Sequence, residues 1–125
     1  MAYEIRIKRI YEAPADDDGA RILIDRLWPR GMAKARAKLD GWWKDVTPSP
    51  ELRTWFHKDL AGHYEEFGEK YTVELAARPE VQERLRECAE LLTQGNVTFL
   101  YASKGPVHNH ARILQNWFQW QLTKA

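Results

Sequence analysis

Two short stretches of the chain concentrate the groups that do chemistry. The first is Asp25-Arg26-Leu27-Trp28-Pro29-Arg30-Gly31. A guanidinium presents a planar fork that matches the oxygens of a phosphate or carboxylate, so Arg26 and Arg30 read as anion grips. Trp28 supplies a ring face for stacking. Pro29 stiffens the loop, and Gly31 can take backbone conformations closed to other residues. A structural reading stands beside this one: Asp25 pairs with one of the arginines and Trp28 fills the core.

The second stretch is Tyr101-Ala-Ser-Lys-Gly-Pro-Val-His-Asn-His110. Ser103 or Asn109 can cap a helix that follows, and the first N–H groups of a helix attract an anion. Lys104 adds a point charge, and His108 and His110 add imidazoles, the side-chain type suited to acid–base work near neutral pH. Helical neighbours two apart do not share a face, and no cysteine or third histidine is close by, so no metal is assigned. If the protein is an enzyme, His110 or His57 is the general acid–base and Asp25 its orienting partner. No nucleophile is assigned. Capping and packing alone also account for Asn109, and His57 and His63 suit structural places on helices.

Elements must bring these stretches together. Residues 3–8 alternate apolar and polar, the period of a half-buried strand. Residues 14–19, with Asp16, Asp17 and Asp18, read as a turn. The apolar run at 21–24 suits a strand covered on both faces, as in a parallel sheet. Residues 27–38 predict a long loop with one helical turn, and 41–46 a further strand with Trp42 and Val46 on one face. Ser49-Pro50-Glu51 is a helix start, with Leu52, Trp55, Phe56 and Leu60 as its apolar face. A second helix over 62–77 carries Tyr64, Phe67, Tyr71 and Leu75 inward, and a third from Pro79 carries Val81, Leu85, Cys88 and Leu92. Residues 96–102 form the clearest strand, and a last helix turns Leu114, Trp117, Phe118 and Leu122 inward. The expectation is a single α/β domain over residues 1–125, a mainly parallel sheet of three to four strands flanked by helices.

Ligands of open α/β sheets sit beyond the carboxyl ends of the strands, where both loaded stretches begin. Composition narrows the partners. With 19 basic and 18 acidic residues the net charge is +1, not the strongly basic balance of a dedicated nucleic-acid binder. The apolar share of 44 % and charged share of 30 % are those of a globular protein. A lone cysteine, Cys88, excludes an intramolecular disulfide, and its apolar stripe makes it a buried thiol. No leader-like segment or long apolar run appears, so the expected location is the cytoplasm, away from any membrane. Glycine-rich dinucleotide and phosphate loops, His-Glu-x-x-His and Gly-x-Ser-x-Gly do not occur, and the cofactor is left unknown.

The run from Arg21 to Gly31 resembles the YeaO-like proteins, short bacterial proteins classed as a domain of unknown function. So do Asp45-Val-Thr-Pro-Ser-Pro-Glu-Leu-Arg-Thr-Trp-Phe-His57, Leu100-Tyr-Ala-Ser-Lys104 and Asn109-His110-Ala111. The resemblance spans essentially the whole chain and implies a bacterial cytoplasmic α/β domain, with no reaction attached. Longer relatives carry Cys-His-Arg after the corresponding last strand. This chain has His108-Asn109-His110 there, so thiol catalysis does not carry over. Some relatives bear a tetrapyrrole-methyltransferase label, but this chain is too short for that two-lobed enzyme.

The reading that follows is a pocket for a small anionic or nucleotide-like ligand, held by Arg26, Trp28, Arg30, Lys104 and Asn109. Two alternatives differ in kind. One is a protein-interaction module docking through exposed Trp43, Trp55 and Trp120. The other is weak nucleic-acid contact through Arg30, Lys34, Arg36 and Lys38, marked by a steep salt dependence.

Overall fold

A computed structural model describes residues 3–104 and 109–124. Four strands pair in the order β1-β4-β2-β3, all parallel: β1 (Ile5–Arg9), β2 (Ala20–Leu23), β3 (Gly41–Trp42) and β4 (Val97–Tyr101). The expected parallel α/β sheet is therefore present. β4 sits between two partners, which is why all five of its residues are apolar or hydroxyl-bearing and all are buried.

The helices are α1 (Lys34–Ala37), α2 (Pro50–His57), α3 (Leu60–Ala77), α4 (Pro79–Leu91) and α5 (His110–Thr123). Local chemistry starts the long ones. The Ser49 hydroxyl accepts from the Leu52 N–H at 3.2 Å, with Pro50 at the first helical position. The Asn109 side chain accepts from the Arg112 N–H at 3.1 Å and opens α5.

The two faces of the sheet are covered unequally. On one, Ile22, Val97 and Phe99 join Phe67, Tyr71, Leu85, Cys88, Leu114 and Phe118 in the main core beneath α2 to α5. On the other, Leu23 and Leu100 meet Ile10, Met32 and Ala37 beneath the loop that carries α1. Both faces of β2 are covered as its sequence requires, but only one is covered by long helices.

Trp42 and Trp43 divide between these cores, because successive strand residues point to opposite faces. Trp42 packs in the smaller core, while Trp43 is 1 % exposed in the main core against Phe99 and Phe118. Two expectations are corrected here. The third strand ends at Trp42, and a 3-10 turn over Lys44–Val46 follows, so Val46 joins the main core and does not share a face with Trp42. Trp43 is a core residue and cannot serve an exposed docking patch.

The Asp-rich turn does more than reverse the chain. Asp18 is buried, and its carboxylate accepts from Lys8 Nζ at 3.0 Å, Arg21 Nη1 at 2.5 Å and the Ala15 N–H at 3.0 Å. Burial alone would raise the Asp18 pKa, but the Ala15 N–H, the Lys8 ammonium and the Arg21 guanidinium outweigh it and hold the carboxyl below its ordinary value. Arg21 is itself buried and also donates to the Ala37 carbonyl at 3.0 Å. Gly19 follows at φ +66°, where a Cβ would lie 1.9 Å from the Asn96 carbonyl oxygen. That approach demands glycine.

On the outer margin of β1, the Ile5 carbonyl accepts from Gln115 Nε2 at 2.9 Å, and the Arg9 N–H donates to the Glu12 carboxylate at 2.9 Å. Among the described residues no helix is long and apolar enough to cross a membrane.

Candidate functional site

Because β2 and β4 are parallel neighbours, the chain leaves both at the same end of the sheet. Asp25, just past β2, ties these exits together: its Oδ2 accepts from the Ala102 N–H at 2.8 Å. His110, the first residue of α5, brings Nε2 within 2.8 Å of the Ile24 carbonyl oxygen and 3.3 Å of Asp25 Oδ1. A carbonyl only accepts, so Nε2 carries the proton and Nδ1 is left as the acceptor of the neutral ring. The expected partnership of Asp25 with His110 is thus a contact in the structure.

A cleft of about 590 Å³ opens beside this pair. Arg26, Trp28 and Arg30 line one side, and Lys104, Asn109 and His110 line another. The two stretches singled out in the sequence face one concavity. α2 closes the third side with Arg53, Phe56 and His57, and Phe67 of α3 lies behind.

The cleft is electropositive. Asp25 is its one acidic lining residue, and Ala102 and His110 already engage that carboxylate. Arg26, Arg30, Arg53 and Lys104 form no ion pair among the described residues. The His57 pKa is lowered from its ordinary value by burial first, then by the Arg53 charge and by His110 across the cleft.

Trp28 belongs both to the smaller core and to the cleft lining. Its indole N–H donates to the Met32 carbonyl at 2.7 Å, and its ring meets Trp42 edge-on at 5.5 Å. Held this way, Trp28 is a fixed wall.

Two lining residues escape a reading of the local stretches. Arg53 lies one helical turn before His57, so the two share a face of α2, and that i, i+4 spacing was the available signal. Tyr11 lies beyond β1, and its hydroxyl donates to the Arg30 carbonyl at 2.7 Å, steadying the arginine loop. Nothing in the sequence near Tyr11 points to that contact.

The remaining candidates lie elsewhere. His63 stacks on Trp55 at 4.0 Å, and Trp55 is half-buried. Trp120 is 57 % exposed near the end of α5. Lys34, Arg36 and Lys38 are exposed on and beside α1, outside the cleft lining. His108 lies outside the described residues. Among the described residues no group of three or more His, Cys, Asp or Glu is placed to hold a metal ion.

The chain also matches a defined family. The model described as "Inactive DUF488-N3 subclade" matches residues 4–125, and the chain belongs to that family. It is similar to the uncharacterized protein YeaO of Escherichia coli, 42 % identical over 115 residues that cover 92 % of this chain and 96 % of that one. It is also similar to the uncharacterized protein Rv3073c of Mycobacterium tuberculosis, 36 % identical over 110 residues, or 88 % of this chain and 89 % of the relative. The YeaO-like resemblance is borne out. No solved structure matches.

Proposed function

We propose that the protein binds a small anionic ligand in the cleft, in the cytoplasm, with Arg26 and Arg30 as the forks that grip it. Arg53 and Lys104 add charge, and the N–H groups at the start of α5 close the far side. One observation carries this reading: four cationic side chains without ion-pair partners among the described residues surround a cleft whose one carboxylate among those residues is already engaged. Such a cluster repels itself, and an anion relieves the repulsion. The volume, about 590 Å³, suits a small molecule.

Binding without turnover agrees with the word "inactive" in the family description. The Asp25–His110 pair then serves to orient a proton donor or acceptor toward the ligand.

The test is the thermal shift produced by inorganic phosphate, for wild type and for Arg26→Ala/Arg30→Ala, at matched ionic strength. A ligand at a hundred times its Kd stabilises the folded state by about 2.7 kcal/mol. Oxyanions also stabilise proteins generally by exclusion from their surfaces, and the double variant reports that background. Wild type should shift further than the variant; equal shifts would remove the arginine site.

A further inference from the structure

We infer that the ligand carries its anionic group on a hydrophobic carbon body, aromatic or aliphatic, which lies along Leu27, Leu60 and Phe56. The inference rests on the anion-binding reading and adds the chemistry of the rest of the molecule.

Leu27 is 65 % exposed and Leu60 is 39 % exposed, and both line the cleft. They belong to a set of just five large exposed hydrophobic residues among the described residues, the others being Tyr3, Val73 and Trp120. A single exposed leucine is ordinary. Two on one cleft, beside the buried Phe56 and Phe67 and rimmed by arginines, form an apolar surface that a ligand body covers. The volume leads the same way, since about 590 Å³ is far more than a bare oxyanion needs.

The polar groups of the lining argue against a nucleobase as that body. The Thr47 hydroxyl donates to the Lys44 carbonyl, the Tyr11 hydroxyl to the Arg30 carbonyl and the Trp28 N–H to the Met32 carbonyl. The Asn109 amide oxygen caps α5. A base needs donors and acceptors along its edge, and three of the lining's side-chain hydrogens are already committed, so fewer remain to meet it. A carbon body makes no such demand. This favours the anionic part of the nucleotide-like expectation over its base.

The experiment is calorimetric titration with inorganic phosphate, phenyl phosphate and adenosine monophosphate, on wild type, Arg26→Ala/Arg30→Ala and Leu27→Ser/Leu60→Ser. The leucines are exposed enough for the serine variant to fold, and its melting curve checks that. Phenyl phosphate should bind wild type about tenfold or more tighter than phosphate, as covering roughly 55 Å² of apolar surface would give. The serine variant should lose that advantage and keep its phosphate affinity, and adenosine monophosphate should bind more weakly than phenyl phosphate. Arginine-dependent phosphate binding without a phenyl advantage would overturn this inference and leave the anion site standing. A phenyl advantage that survives in the serine variant would overturn it too, as would adenosine monophosphate binding tighter than phenyl phosphate. Loss of all arginine-dependent binding would overturn both.

Discussion

The two ends of β2 use arginine in opposite ways. At its start, Arg21 is buried, with Asp18 and the Ala37 carbonyl as partners. Beyond its end, Arg26 and Arg30 are exposed on a cleft and form no ion pair among the described residues. The difference lies in the neighbours. Asp18 sits three residues before Arg21, on a turn that folds it back beneath the sheet, and Lys8 and the Ala15 N–H complete its coordination. At the far end the one carboxylate, Asp25, turns to the Ala102 N–H and His110 instead. One network pairs its charges inside the fold, with Arg21 Nη2 left as its unpartnered buried atom; the other leaves its guanidiniums facing a cleft.

The sharpest way to break this contrast is to remove an acid from the closed end. Taking one partner from a buried ion pair strands the other charge and costs about 3–5 kcal/mol. Asp18→Ala should lose that much in urea unfolding, and Leu23→Ala in the adjoining core about 2–5 kcal/mol. Arg26→Ala and Arg30→Ala should each stay within about 0.5 kcal/mol of wild type. Equal losses at both ends would make the cleft arginines structural.

Acid should expose the closed end next. The folded-state pKa of Asp18 lies below its unfolded value, so its contribution is present above the ordinary carboxylate pKa and is lost as pH falls through the depressed one. Wild-type stability should therefore drop from about pH 4 downward. In Asp18→Asn the part of that slope due to Asp18 disappears, read from urea midpoints across the range. An unchanged slope would place the acid sensitivity in other carboxylates.

The open end should respond in mild acid, below the ordinary histidine pKa. His57, though exposed at the surface, has its pKa lowered first by partial desolvation of its ring and then by Arg53 and His110, and a bound anion favours its charged form. Sulfate keeps its charge in mild acid, so its affinity should rise as pH falls below the ordinary histidine pKa of about 6.5, and rise less in His57→Gln. A flat profile would take His57 out of the ligand field.

The smallest effect compares a closed thiol with that open imidazole. Burial pushes the Cys88 thiol up to about 12, so a thiol reagent should leave the native protein unlabelled while an imidazole reagent modifies the exposed His57. Cys88→Ala should cost about 1 kcal/mol. Rapid thiol labelling without denaturant would contradict its burial.

The long elements were legible because each carries its own signal. The 3.6-residue stripes of α3 and α4, the Ser49-Pro50 and Asn109 caps and the apolar run of β4 act locally. What failed to show depended on distant partners. Asp18 read simply as a turn residue because its partners Lys8 and Arg21 lie on two different strands. Trp43 looked available for docking because a tryptophan suits a core and an interface equally, and only the end of β3 decides which. In the site, Arg26, Arg30, Lys104 and His110 follow directly from strand exits and could be named. Tyr11 reaches the arginine loop from the end of β1, and Arg53 arrives on α2.

The two small contacts on the rim of β1 have a consequence for how copies of this chain meet. A parallel sheet has two open borders, and each invites a stranger's backbone to extend it. β3 offers just two residues, too short a template. Along β1, Gln115 already occupies the Ile5 carbonyl and Glu12 the Arg9 N–H, which leaves the stretch around Ile7 between two capped groups. A foreign strand would have to evict both side chains before it could zip on. Strand addition at β1 therefore has to break two hydrogen bonds before it gains any.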